Sequence, residues 1–116
     1  MRDSVGMRAD LAGDSQPDLP YDEQVIGVVL QIPPGRVMSY GDVAEFLGAG
    51  GPRQVGQVMS RSDADLPWWR VIHADGSPPP GKESECLANL RAEATPLRAD
   101  GSRVDMRRAR WDGRPG

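Results

Sequence analysis

The chain contains one thiol, Cys86, and one imidazole, His73. Nucleophilic transfer needs a thiolate beside its activating base. Here the two lie thirteen positions apart, with Cys86 inside a segment of helical pattern and outside any nucleophile motif. A free cysteine so placed reads as a small buried hydrophobe, and His73 reads as part of a turn. No Cys/His cluster has metal-ligand spacing, so neither a metal nor another cofactor is expected. The residues that do stand out are Tyr40, Arg53 and the run Pro67-Trp68-Trp69-Arg70-Val71. A tryptophan cannot act as the nucleophile that a thiolate is. Its indole offers an apolar face and a single N–H donor. Arginine is a flat cation that can stack on bases and hydrogen-bond to them. A tyrosine can press on a sugar-phosphate and donate a hydrogen bond.

These residues must be held by a few short elements. Val25, Ile26, Val29, Leu30 and Ile32 recur at helical spacing and predict a helix over about 21–32, ended by Pro33-Pro34-Gly35. Arg36-Val37-Met38 is a short extended link. Ser39-Tyr-Gly-Asp42 resembles a capping box and opens a helix over about 40–47, with Tyr40, Val43, Ala44 and Leu47 on one face. Gly48 is its stop. Pro52 suits the first position of a third helix, which runs to about Arg61 with Val55, Val58 and Met59 inward. Helix, Gly-rich turn, helix is the outline of a helix-turn-helix, although ordinary bundles share it. Val71-Ile72 and the Asp75-Gly76 turn predict a short strand and hairpin. Pro78-Pro79-Pro80-Gly81 is a stiff loop. Glu83 to about Ala94 predicts a helix with Leu87 and Leu90 inward, Asp100-Gly101 a turn, and Trp111 a packing residue near the end.

At 116 residues the chain is one small domain. Residues 1–19 carry scattered Asp, Gly, Ser and Pro without an apolar period, and predict a disordered acidic leader before a single domain over 20–116. The net charge of −3 is uneven. Residues 1–24 hold two arginines against six acids, and the remainder is close to neutral. That balance predicts weak sequence-independent DNA affinity with a moderate salt dependence. No apolar run approaches the roughly 20 residues of a membrane span. A single Cys excludes an internal disulfide and suggests a reducing cytoplasm.

From about Tyr21 to Trp111 the chain resembles the DNA-binding domain of the O6-alkylguanine-DNA alkyltransferases. The resemblance is carried, in order, by the helix with Val25 to Ile32, Pro-Pro-Gly-Arg-Val-Met-Ser-Tyr-Gly-Asp-Val-Ala (33–44), Arg-Gln-Val-Gly (53–56), Leu-Pro-Trp-Trp-Arg-Val-Ile (66–72) and the end Asp105 to Trp111. The run at 67–71 looks like the family's Pro-Cys-His-Arg-Val motif, with Trp68 at the nucleophile position and Trp69 at that of the His. This is the pattern of the alkyltransferase-like branch, apart from Trp69, where most such proteins keep His. The resemblance implies a mainly α, winged helix-turn-helix-like domain with a small β-hairpin or wing. It implies minor-groove binding through the third helix and flipping of a damaged guanine into a pocket. Arg53 then matches the finger that fills the vacated stack. Tyr40 matches the residue that crowds the 3′ phosphate. Trp68 lines the lesion pocket, with Trp69 and Lys82 as further candidates and Arg70 as its scaffold. Ser39, Pro52, Gln54, Gln57, Ser60 and Arg61 are candidates for contacts to the DNA backbone. Each has a plainer reading as well: a core tryptophan, a solvated charge, an exposed helix face.

The function expected is non-enzymatic recognition of O6-alkylguanine in double-stranded DNA, flagging the lesion to nucleotide excision repair proteins. The protein is expected to be a monomer in the cytoplasm, at the nucleoid when bound, without membrane association. Two rivals remain. One is an atypical repair enzyme, for which Asp65 and Asp75 are the carboxylates nearest the Trp motif. The other is a plain winged-helix regulator, which would bind alkylated and undamaged duplexes equally.

Overall fold

A computed structural model describes residues 19–62 and 65–114. The expected leader, 1–19, therefore lies outside the described residues except for Leu19. Helix α1 (Tyr21–Gln31) buries Val25, Val28 and Val29, and Ile32 just beyond it is also buried. Spacings of three, four and seven residues make one apolar stripe. Leu30, expected inward, falls off that stripe and is 57% exposed. The chain then turns at Pro33-Pro34-Gly35 into a two-residue strand, β1 (Met38–Ser39).

Helix α2 (Tyr40–Leu47) starts with the expected capping box. Ser39 Oγ accepts from the Asp42 N–H, and an Asp42 carboxylate oxygen accepts from the Ser39 N–H, each at 3.0 Å. Gly48, in the left-handed region at φ 72°, ends it by donating to the carbonyls of Ala44 and Glu45. Helix α3 (Pro52–Arg61) begins with Pro at its first position, and the Gln54 side-chain oxygen accepts the Gly51 N–H at 2.9 Å. Tyr21 fastens the intervening turn to α1 by donating to the Ala49 carbonyl. The first three helices thus match the sequence expectation closely.

A single 3-10 turn (Trp68–Arg70) leads into β2 (Val71–Ile72), followed by α4 (Glu83–Ala92) and a last short helix, α5 (Met106–Ala109). β2 does not enter the expected hairpin. It pairs in parallel with β1, Met38 opposite Val71 and Ser39 opposite Ile72. The Asp75-Gly76 turn does form, closed by the His73 N–H donating to the Ser77 carbonyl. No ladder can extend from it, because Pro78, Pro79 and Pro80 have no N–H to donate. The small hairpin lies later in the chain, where Leu97 and Val104 bridge in antiparallel fashion across the Asp100-Gly101 turn. The fold is thus mainly helical with a small β component.

The paired strands separate two apolar clusters. Met38 and Val71 face one, with residues of α1, α2 and α3, Leu66 and Trp111. Val37 and Ile72 face the other, with Cys86, Leu90, Val104 and Ala109. The alternation follows from the two-residue period of extended chain.

Candidate nucleic-acid interface

The parallel register of β1 and β2 builds the site. Ser39 opposite Ile72 sets the next pair, Tyr40 and His73, side by side, and their ring centroids lie 5.2 Å apart. The 3-10 turn immediately before β2 delivers Trp68 to the same place. Between them opens a cleft of about 400 Å³, walled by Tyr40, by Gly56, Met59 and Ser60 of α3, by Leu66 and Trp68, and by Pro79, Pro80 and Lys82. Sites for small molecules span roughly 300–1,000 Å³, so a flipped base is of a size to enter it. One wall is helix α3, one is aromatic, and one is the stiff proline loop.

Within the cleft, the Lys82 ammonium lies 5.0 Å from the Trp68 ring centroid, in cation–π range. Burial, and secondarily the nearby Cys86 thiol, raise the Tyr40 pKa above that of a free phenol. Tyr40 is therefore a protonated donor at every physiological pH. Among the described residues no carboxylate lines this cleft. Asp75 is exposed and bound to Ser77, outside it.

The structure separates the other expected pocket residues from the wall. Trp69 sits edge-on behind Trp68, ring centroids 5.9 Å apart, and packs against the second cluster. It underlies the pocket instead of widening it. Its buried indole nitrogen makes no hydrogen bond of good geometry, although it lies close to the Glu93 carboxylate. Arg70 also lies outside the wall. Its guanidinium donates to both Glu93 oxygens, at 3.0 and 2.5 Å, and to the Ile32 carbonyl at 2.8 Å. It therefore ties the Trp turn to the ends of α1 and α4. Burial works against the Glu93 carboxylate, but Arg70 together with Trp69 and the Gly35 N–H outweighs that and lowers its pKa.

On α3, Arg53 is exposed and has no ion pair or hydrogen bond among the described residues. A cation in the first turn of a helix opposes the helix dipole, so packing and helix stability give no reason for it. Pro52, Gln57 and Arg61 are exposed on the same helix. Gln54 has its side-chain oxygen engaged in capping, and Ser60 donates to the Gln57 carbonyl while bordering the cleft. Ser39 does not belong with them. It is 3% exposed and its hydroxyl is engaged as the α2 cap. Met59 is a wall residue expected only on the inner face of α3; Leu66 enters from the start of the Trp motif, and Pro79 and Pro80 from the loop that the resemblance closes over the flipped base. The apolar period of α3 marks Met59 as inward, but only the approach of the proline loop makes it a pocket residue.

Cys86 is fully buried, and burial pushes its thiol up to about 11.

Comparison with known proteins adds a consistent picture. Residues 20–99 match the family described as 6-O-methylguanine DNA methyltransferase, DNA binding domain. A protein of Escherichia coli (strain K12) named DNA base-flipping protein is 35% identical over 98 residues, which covers 79% of this chain and 74% of that one. Alkyltransferase-like protein 1 of Schizosaccharomyces pombe is 39% identical over 57 residues, 47% of this chain and 53% of its own. The crystal structure of S. pombe Atl1 with damaged DNA containing O6-carboxymethylguanine superposes with a TM-score of 0.68 at 26% identity, covering 81% of this chain and 94% of that one. Mycobacterium tuberculosis OGT in complex with DNA gives 0.54 at 26% identity, over 80% of this chain and 56% of that one.

Proposed function

The chain belongs to the family of the 6-O-methylguanine DNA methyltransferase DNA-binding domain, and on that premise we propose that it recognises O6-alkylated guanine in duplex DNA without altering it. The observation that carries this reading is the position of Trp68. Its ring is a wall of a cleft shared with Tyr40 and helix α3, and by resemblance it stands at the motif position of the acceptor cysteine. A base rotated out of the duplex would stack against an indole where it would otherwise meet a nucleophile. Flipping costs a few kcal/mol, and less for a damaged, poorly paired base. An apolar wall in contact with the added alkyl group widens that difference.

In this reading α3 lies along the minor groove, Arg53 enters the space left in the stack, and Tyr40 presses on the neighbouring phosphate. Lys82 sits at the lip of the pocket. Pro52, Gln54, Gln57, Ser60 and Arg61 hold the backbone. Support for a role without bond chemistry comes from the two tryptophans at 68 and 69 and from Cys86, whose thiol is buried and keeps its proton. The same reading has the protein act as a monomer in the cytoplasm and leave removal of the lesion to nucleotide excision repair. The relatives named for base flipping and for alkyltransferase likeness support the first steps.

Competition binding tests it, with two short duplexes that differ only in one O6-methylguanine. The wild type is expected to prefer the lesion duplex. Trp68→Ala is expected to lose about tenfold of that preference, the value of one stacked base. Arg53→Ala should lose it as well. Equal affinity of the wild type for both duplexes would refute lesion recognition.

A further inference from the structure

Helix α3 carries two cations and no acid among its ten residues. Arg53, Gln57 and Arg61 are spaced by four and so lie along one face. Arg53 is free among the described residues, but Arg61 is not. One of its guanidinium nitrogens lies 3.2 and 3.1 Å from the two carboxylate oxygens of Asp22, in the first turn of α1. The pair joins residues 39 apart and stays open to solvent, with side chains 57% and 51% exposed. A carboxylate in a first helical turn also favours the helix dipole. Glu23 beside it satisfies that preference without meeting Arg61.

We propose that Asp22 is an intramolecular stand-in for a DNA phosphate, setting how strongly the protein holds DNA backbone of any sequence. This rests on α3 being the helix that faces DNA. Carboxylate and phosphate oxygens compete for the same guanidinium donors. With Asp22 in place, one of the two cations of the α3 face is neutralised before DNA arrives. An exposed pair of this kind costs at most about fivefold to open, so the contact weakens the grip without abolishing it. It acts on the backbone and not on the pocket, so it lowers affinity for damaged and undamaged duplexes by the same factor. A protein that must leave undamaged DNA quickly gains from a weaker grip that leaves its lesion preference intact.

The test compares Asp22→Asn with Glu23→Gln, which removes the same charge one residue away without releasing Arg61. Affinities for both duplexes are read by fluorescence anisotropy across a salt series, with thermal unfolding to verify the fold. Asp22→Asn is expected to bind both duplexes up to about fivefold more tightly at low salt. The gain should fade as salt screens the contact. Glu23→Gln should give clearly less, and adding Arg61→Gln to Asp22→Asn should abolish the gain. The proposal is overturned by unchanged or weaker binding of a folded Asp22→Asn, by an equal gain in Glu23→Gln, or by a gain that survives Arg61→Gln. The lesion preference of the wild type is a separate reading. If it is absent, the proposed function fails even where the Asp22 effect is seen.

Discussion

Trp68 and Trp69 are neighbours in sequence with different tasks, although both rings pack on the second cluster and meet edge to face. Trp68 meets the cleft and Lys82, while Trp69 supports it from beneath, beside Glu93. The Arg70–Glu93 pair holds this turn, and its pH dependence follows from the direction of the Glu93 shift. The folded pKa is lowered, so the stabilisation is complete above the usual Glu value of about 4.3 and is lost as pH falls through the lower folded value. Thermal midpoints followed from pH 6 to pH 3 should therefore fall more for the wild type than for Glu93→Gln. The variant should be about 2–4 kcal/mol less stable at pH 6, as expected for removal of one partner of a largely buried pair. Equal acid profiles would mean that Glu93 does not carry this term. The other informative residue is Cys86. Its buried thiol, pushed to about 11, should resist disulfide reagents at pH 8 until the protein is unfolded in denaturant. Rapid labelling of the native protein would show a reactive thiol and reopen the enzymatic reading.

At the scale of elements, local signals were legible and non-local ones were not. Ser39 with Asp42, Gly48 and Pro52 are start and stop marks that depend on immediate neighbours, and they placed α2 and α3 correctly. The β1–β2 pair could not be read, because two-residue strands carry no period and parallel partners 33 positions apart leave no turn between them to notice. Yet that pair is what brings Tyr40, His73 and Trp68 to one place. Tyr40 and Trp68 were therefore legible through their resemblance to a motif, and the cleft they share was not. The Asp75-Gly76 turn illustrates the same limit. Sequence marks a turn there but not its tight seat, where a Cβ on Gly76 would meet the Val104 carbonyl oxygen at 2.3 Å, at φ 89°. Gly76→Ala is therefore expected to cost well above the strain of a positive φ alone, about 3 kcal/mol or more. Gly48→Ala provides the comparison. It has the same kind of backbone angle but open space around the added carbon, so about 1 kcal/mol is expected. Denaturant midpoints of the two variants measure the difference, and equal losses would show that the close approach to Val104 is not present in solution.

For the whole molecule, charge decides how lesion binding and general DNA binding divide. The described residues hold as many acids as cations, and several of the arginines are already committed: Arg61 to Asp22, Arg70 to Glu93, Arg103 to Asp75 and Arg110 to Asp42. Among the described residues only Arg53, Arg61 and Lys82 stand on α3 or at the cleft, so few cations face phosphates in the proposed pose. Binding to an undamaged duplex should then release few counterions. With about three phosphate contacts, the logarithm of affinity should fall with the logarithm of salt at a slope near −3, since each contact adds about −0.9. The pocket contribution works by stacking and apolar contact in a partly enclosed cleft, which salt screens little. Raising salt should therefore weaken both complexes in parallel and leave their ratio nearly constant. Removal of residues 1–18, which carry four aspartates and two arginines, should raise both affinities at low salt by reducing the net negative charge, again without changing the ratio. A slope near −8, or a lesion preference that disappears by 200 mM salt, would mean that phosphate contacts and not the Trp68 cleft distinguish damaged from intact DNA.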